Sequence, residues 1–204
     1  MKAKKQPKSN RVKRIKESVT QVGYKKLVNA VRGDEIIRPN TQQNLLRTFT
    51  ILYYTGLRLN ELQQLKLHHI KELLELDETK LILPKTKSER KLFAGVEFKR
   101  ELRKLFKIND DTDLDIRVIV KGSSSSKKES INPLTFIAQV NEVMQSILGA
   151  GYTSHSFRQG LISEMGTKGI NAKIIARFIG HSDVKITMQY IKPTDNDLRN
   201  AMIR

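Results

Sequence analysis

Residues 153–190 read TSHSFRQGLISEMGTKGINAKIIARFIGHSDVKITMQY, and this stretch decides how the whole chain is interpreted. His155 and Arg158 are three residues apart, so on a helix they lie on the same face. Gly180 is typical of a helix C-cap, because glycine readily adopts the left-handed conformation found there. His181 is therefore expected in a tight turn directly after a helix, where its imidazole can be held rigidly.

The stretch ends in a short predicted helix, which Ser182 can cap and which has Tyr190 near its end. A guanidinium, two imidazoles and a phenol brought together are suited to phosphoryl transfer. An arginine binds phosphate oxygens through two parallel hydrogen bonds, and a phenol oxygen can attack phosphorus. The stretch therefore indicates a site that acts on a phosphate ester.

The motifs and their spacing resemble the signature of the tyrosine recombinase, or phage integrase, family. The matching pieces are HSFR at 155–158, IGHS at 179–182 and a tyrosine nine residues after His181. That signature also needs an upstream arginine, and TGLRLNEL at 55–62 provides Arg58 in the usual setting. The resemblance covers about residues 40–193, the catalytic domain of the family, and it is highly specific because order and spacing agree together.

The resemblance implies a role for each motif residue. Arg58 and Arg158 would hold the two non-bridging oxygens of a DNA phosphate. Tyr190 would be the nucleophile, leaving a 3′-phosphotyrosyl bond and a free 5′-hydroxyl. A phenol needs a base or a strong cationic field to react at neutral pH, and His155 is the best candidate for that help. His181 would donate a hydrogen bond to the phosphate.

Two further expectations concern residues close to these motifs. Arg58 can also form a structural pair with Glu61, three residues on, and we expect Glu61 to orient it. In the family, a lysine in the turn between the second and third strands protonates the leaving oxygen. The turn expected at 84–88 offers Lys85, which we favour because a lysine followed by threonine at the strand end resembles the family pattern, and Lys87, which stays a rival.

The overall composition favours a nucleic-acid partner. The formal net charge is +17 over 204 residues, and the sequence pI is about 10.1. Such an excess of positive charge favours a polyanionic partner, nucleic acid rather than a membrane. The sequence has no cysteine, which excludes disulfides and thiol nucleophiles. It has neither an apolar run approaching the roughly 20 residues that span a bilayer nor a secretory signal. We expect no membrane contact and a cytoplasmic protein acting on DNA.

Residues 1–17 predict a basic flexible arm or linker, since the first sixteen positions hold eight lysines and arginines and no acidic residue. The arm either contacts DNA or only solubilises the chain. Residues 18–204 are predicted to form the catalytic domain. In the resembled family a helical DNA-clamping domain precedes it, and no length is available for one here. We therefore expect either a fragment or a protein without that domain.

Apolar spacing and helix-end residues divide the chain into elements. Helices are predicted over 19–31, from a cap at Asn40 or Thr41 to Gly56, over a short segment carrying Arg58, over 97–106 and over 132–148. Strands are predicted over 70–76, 80–84, 90–96 and 117–120, although residues 73–76 can instead extend a helix. His68 and His69 fit no motif and are expected at the surface. The predicted fold is α+β and mostly helical, a tyrosine-recombinase-like catalytic domain with a small three-stranded antiparallel sheet.

The sequence is thus interpreted as a site-specific recombinase that cuts and rejoins DNA through a covalent intermediate. The candidate residues lack the carboxylates of a two-metal nuclease, and no nucleotide-binding glycine loop occurs, so no cofactor is expected. The resemblance implies double-stranded DNA and a homo-tetramer on paired sites, with residues 191–204 docked on a neighbouring protomer or on their own domain. Two alternatives stay open: DNA relaxation like that of a type IB topoisomerase, and a non-catalytic DNA-binding protein on this scaffold.

Overall fold

The computed structural model describes residues 17–83, 89–122 and 129–191, together with Asp195, Arg199 and Met202. Residues 1–16 of the predicted arm, the turn at 84–88 and most of the predicted C-terminal helix lie outside these residues. The elements in chain order are α1 (Gln21–Arg32), α2 (Pro39–Thr55), α3 (Leu59–Leu62), α4 (Leu67–Glu75), β1 (Glu78–Ile82), β2 (Glu89–Phe93), α5 (Val96–Leu105), α6 (Pro133–Leu148), α7 (His155–Thr167), α8 (Ala172–Ile179) and α9 (Val184–Met188). None of these helices is long and apolar enough to cross a membrane.

Helix α2 lies at the centre of the fold and contacts α1, α5 and α7. Phe49 and Leu52 on its apolar face are fully buried. The helix begins with Pro39 in its first turn, so the predicted cap at Asn40 or Thr41 is wrong. Proline suits this position because its missing N–H would have no helical partner there.

Gly56 ends α2, as predicted, in the left-handed conformation with a φ of 58°. A Cβ at this position would lie 2.7 Å from Cδ1 of Ile179 and 3.1 Å from Cδ2 of Leu161. Glycine alone combines this backbone conformation with so close a neighbour. The end of α2 is thereby brought against both α7 and α8.

The sheet differs from the prediction, because β1 and β2 form a two-stranded antiparallel ladder and no third strand joins them among the described residues. Lys80 lies opposite Lys91 in this register. The predicted strand over 117–120 is reduced to one isolated bridge between Lys66 and Arg117. Side chains of α2 bind the backbone of residues 118–120 by hydrogen bonds instead. The Asn44 amide, for example, donates to the Val120 carbonyl at 2.8 Å.

The segment predicted as the first strand, 70–76, belongs mainly to helix α4, so that prediction is wrong. Ile70 and Leu73 are buried, whereas Leu76 is 67% exposed, which is the spacing of a helix and not of a strand. The alternative of a helix through this segment is the correct one. His69 is also buried, contrary to expectation, and its Nδ1 accepts a hydrogen bond from the Lys66 N–H at 3.0 Å.

A small second core joins α7, α8 and the end of the described chain. Ile162, Ile175 and Ile179 are fully buried in it. Tyr190 and Ile191 pack against this cluster, separate from the main core around α2. The second core therefore fixes the chain around Tyr190 to the helix that carries His155 and Arg158.

The residues before α1 cross helix α7 at close range. Val19 is buried, and its N–H donates to the carbonyl of Ser156 at 3.0 Å. A Cβ on Gly160 would lie 2.1 Å from the Val19 carbonyl oxygen, a separation that real Cβ atoms do not reach. Gly160 is thus required for the N-terminal segment to lie directly on α7.

We expect Gly160→Ala to lower the melting temperature, because the added methyl forces the Val19 backbone away from α7. Overpacking of this kind costs about 1–3 kcal/mol. Gly33→Ala is the matched control, since its Cβ meets only Asn29 O, at an ordinary 3.5 Å. Thermal unfolding followed by circular dichroism measures both variants, and equal melting temperatures for the two would contradict the close contact.

Candidate active site

Helix α7 presents Arg158 to the interior, where its side chain is among the largest that are fully buried. Its Nη1 donates to the Gly56 carbonyl at 2.9 Å. Its Nη2 is buried and has no hydrogen-bond partner among the described residues. A buried cationic donor left unpaired is costly, so this nitrogen is suited to an anionic acceptor.

Arg58 lies just before α3 and forms the expected pair with Glu61. Its Nη1 donates to Glu61 Oε1 at 2.7 Å, and its backbone N–H donates to Oε2 at 2.9 Å. The Arg58 side chain is 44% exposed, whereas that of Glu61 is 7% exposed. Glu61 therefore orients a guanidinium that still faces solvent.

Sequence reasoning missed Arg90, which lies on β2 with a side chain only 3% exposed. Its Nη1 donates to Glu61 Oε2 at 2.7 Å, and its Nη2 donates to the Thr55 carbonyl at 2.9 Å. The strand pattern contained a signal, since Arg90 and Leu92 are two apart and share the buried face. A cation on the apolar face of a strand requires a buried partner.

Two guanidinium groups thus pair with the Glu61 carboxylate, and Arg158 is near enough for the charges of all these groups to affect its pKa. Burial lowers the pKa of Arg158 to about 9, and the charges of Arg58 and Arg90 add to the effect. Burial acts to raise the pKa of Glu61, but the Arg58 backbone N–H and the Arg90 guanidinium outweigh it. The pKa of this carboxyl therefore lies below its ordinary value, and the cluster keeps an excess of positive charge.

His181 follows Gly180, whose left-handed φ of 75° confirms the predicted C-cap of α8. The Arg158 Nε donates to His181 Nε2 at 3.3 Å, and His181 Nδ1 lies 2.8 Å from Thr187 Oγ1. Burial, followed by the charges of Arg158 and Arg58, lowers the pKa of His181 to about 4. The imidazole is therefore neutral at physiological pH.

Helix α9 is capped by Asp183. The predicted cap, Ser182, is therefore wrong. The Asp183 Oδ1 accepts from the Lys185 N–H at 2.8 Å. Tyr190 follows two residues after the last helical residue, Met188. Its ring is half-buried, with a centroid 6.4 Å from that of His181.

The structure brings the five motif residues of the described chain together. His155, the first residue of α7, is half-buried and close enough to His181 to contribute to the lowering of its pKa. Tyr190 is near enough to influence the pKa of Arg158. Lys85 and Lys87 lie outside the described residues. Within the described ranges, no group of three or more His, Asp or Glu residues could hold a metal ion.

Comparison with known proteins relates this site to a family. A sequence model of the Phage integrase family matches residues 17–197. Tyrosine recombinase XerC of Treponema denticola is 25% identical over 172 residues, covering 74% of this chain and 52% of the relative. Tyrosine recombinase XerA of Pyrococcus furiosus is 26% identical over 192 residues, covering 94% and 63%. The chain thus spans between about half and two thirds of the length of these relatives.

A solved structure supports the fold. The Tn1549 transposon integrase, in complex with circular intermediate DNA, superposes with a TM-score of 0.65 at 17% identity. The match covers 91% of this chain and 66% of that one. At this identity the similarity shows the fold alone, a mostly helical α+β domain.

We expect Arg90→Met to lower the free energy of unfolding by about 1–3 kcal/mol, because it removes the buried cation from Glu61 Oε2 and leaves that oxygen with only the Arg58 backbone N–H. Lys91→Met is the matched control on the same strand, since Lys91 forms only an exposed pair with Glu78 at 3.3 Å. Such surface pairs contribute about 0–1 kcal/mol. Urea unfolding measures both variants, and a loss for Arg90→Met no larger than that for Lys91→Met would contradict the structural importance of this contact.

Proposed function

Because the chain belongs to the Phage integrase family, we propose that it is a site-specific DNA recombinase. In this proposal it cuts and rejoins double-stranded DNA through a 3′-phosphotyrosyl intermediate, without metal or nucleotide. The observation that carries the proposal is the buried Arg158 with its unpartnered Nη2, next to a half-exposed Arg58. Two cationic forks in this arrangement match the oxygens of one phosphate.

Arg58 and Arg158 bind the non-bridging oxygens of the scissile phosphate. Negative charge grows on these oxygens in the transition state, and cations already in position stabilise it. Glu61 and the Gly56 carbonyl hold the two guanidiniums before DNA arrives. Little movement of these two guanidiniums is then needed when the reaction occurs.

The covalent step starts from Tyr190. Its hydroxyl oxygen attacks phosphorus, so that a bond forms between Tyr190 and the 3′-phosphate and the bond to the 5′-oxygen breaks. A phenol becomes an effective nucleophile when an adjacent base removes its proton, and His155 takes that proton. His181 donates a hydrogen bond to the phosphate. Rejoining reverses these steps with a 5′-hydroxyl as the nucleophile, so the bond energy is conserved.

The leaving 5′-oxygen needs a proton, which a lysine in the turn at 84–88 supplies. We assign this role to Lys85 and keep Lys87 as the alternative. Residues 84–88 come between β1 and β2 in the chain, and β2 carries Arg90, which contacts Glu61. The candidate acid is therefore connected by a few residues to a strand that contributes to the arginine cluster.

Double-stranded DNA as the partner is supported by the DNA bound to the Tn1549 integrase, which has the same fold. We further propose that four protomers assemble on paired DNA sites, with the residues after Ile191 docked between neighbours, since Ile191 itself packs on the second core of its own domain. Most of this segment lies outside the described residues. Cytoplasmic location also stays a prediction from composition.

The central test is covalent capture on nicked suicide duplexes with a randomised core. The DNA that stays covalently attached to the protein identifies the target site. We expect wild type to yield a protein–DNA adduct on denaturing electrophoresis and Tyr190→Phe to yield none. Tyr152→Phe, at another half-exposed tyrosine, should form the adduct normally. Arg58→Ala and Arg158→Ala should slow its formation by about 10²–10³-fold, because each removes a charge-stabilising contact.

Three outcomes would redirect the proposal. An adduct with Tyr190→Phe would reject Tyr190 as the nucleophile. Relaxation of supercoiled plasmid by monomers without a specific site would favour a topoisomerase-like enzyme. DNA binding by wild type without any adduct would favour a non-catalytic binding protein.

The lysines are separated by a duplex with sulfur in place of the bridging 5′-oxygen, because a thiolate leaves without protonation. Lys85→Ala should fail to cleave ordinary DNA and should cleave the sulfur duplex. Lys87→Ala should cleave both close to the wild-type rate. If the sulfur duplex rescues Lys87→Ala and not Lys85→Ala, the assignment is reversed.

A further inference from the structure

Both ring nitrogens of His181 are occupied in the structure. Arg158 Nε lies 3.3 Å from Nε2, and Thr187 Oγ1 lies 2.8 Å from Nδ1. Thr187 is 0% exposed. It lies on α9, and its carbonyl accepts the N–H of Tyr190 at 3.0 Å, so it is tied to both the imidazole and the tyrosine backbone.

The direction of these two hydrogen bonds follows from the chemistry of the groups. Arginine has only donors, so His181 Nε2 must accept. A neutral imidazole has one protonated nitrogen, which must then be Nδ1, and Nδ1 donates to the Thr187 hydroxyl. The pKa of about 4 for His181 agrees with the neutral form. With this tautomer, Nε2 has no proton to give to a phosphate.

This state conflicts with what the proposed function requires, because there His181 donates from Nε2 to the scissile phosphate. A threonine hydroxyl resolves the conflict, since it can either accept from Nδ1–H or donate to an unprotonated Nδ1. The charged and titratable groups around His181 are Arg158 and His155 on α7, Arg58 before α3, and Arg90 on β2. Adding a proton to give an imidazolium would place a further cation among them.

Resting on the proposed function, we propose that Thr187 is a positioning residue that lets His181 exchange tautomers when a DNA phosphate enters the site. The phosphate oxygen replaces Nε2 as the acceptor of the Arg158 Nε–H. Nδ1 releases its proton to water, and Nε2 takes one from water, so that no net proton is gained or lost. The Thr187 hydroxyl turns to donate to Nδ1, and Nε2–H donates to the phosphate. In DNA-free protein, Arg158 and His181 therefore bind each other through the atoms that would otherwise bind the phosphate.

The first measurement is ¹⁵N NMR of histidine-labelled full-length protein, with the His181 signals assigned by their absence in His181→Gln. In DNA-free protein we expect a protonated Nδ1 and an unprotonated Nε2, and this readout does not depend on catalysis. With a duplex recovered by covalent capture, the two nitrogens should exchange roles. A protonated Nε2 without DNA, no change on binding, or protonation of both nitrogens in the complex would each overturn the proposal.

The second measurement compares Thr187→Val with Thr187→Ser. Valine keeps the shape and removes the hydroxyl, so adduct formation should slow by roughly tenfold, the loss expected for one hydrogen bond. The dissociation constant for DNA should stay unchanged. Serine keeps the hydroxyl and should restore the rate. Equal rates for the two variants, or normal cleavage by Thr187→Val, would overturn the role of Thr187, whereas absence of the adduct in wild type would reject the recombinase proposal itself.

Discussion

The site depends on one buried carboxylate, that of Glu61, which two guanidiniums share. Its two oxygens bind Arg58 and Arg90, and Arg90 in turn binds the Thr55 carbonyl at the end of α2. A buried charge is tolerated only when it is paired and hydrogen-bonded. The need to pair these groups therefore ties α2, α3 and β2 together at one point. One carboxylate cannot neutralise three arginines, and the cluster that results is poised for an anion.

The backbone at Gly56 meets a second requirement of the same site. Glycine allows α2 to end in a left-handed turn against Ile179. The carbonyl exposed by this turn accepts from Arg158, which lies 102 residues later in the chain. The same residue thus ends α2 and anchors the Arg158 guanidinium. The contact holds Arg158 against a residue two positions before Arg58, although the two motifs are far apart in sequence.

The sequence predicted most of the motif set but not the support behind it. His155, Arg158, His181 and Tyr190 were predicted from their spacing together with the family signature that it resembles, and the structure brings them together. Arg90 was missed because its buried partner, Glu61, is 29 residues away in the sequence, and only the fold brings the two side chains together. The first strand was predicted wrongly because the apolar residues of 70–76 fit both the strand and the helix periodicity. In the structure, Ile70 and Leu73 pack into the core as residues of helix α4. Tertiary contacts, invisible in a local window, determine these cases.

The most direct test of the account is a structure of the Tyr190→Phe variant bound to a duplex that contains its captured site. The account predicts one scissile phosphate with non-bridging oxygens within about 2.7–3.1 Å of both Arg58 and Arg158. The phenyl ring introduced by this substitution should face the phosphorus from the side opposite the 5′-oxygen. A phosphate backbone that bypasses the two arginines, with Nη2 of Arg158 still buried and without a partner, would contradict the proposal that this charge cluster binds and cleaves DNA.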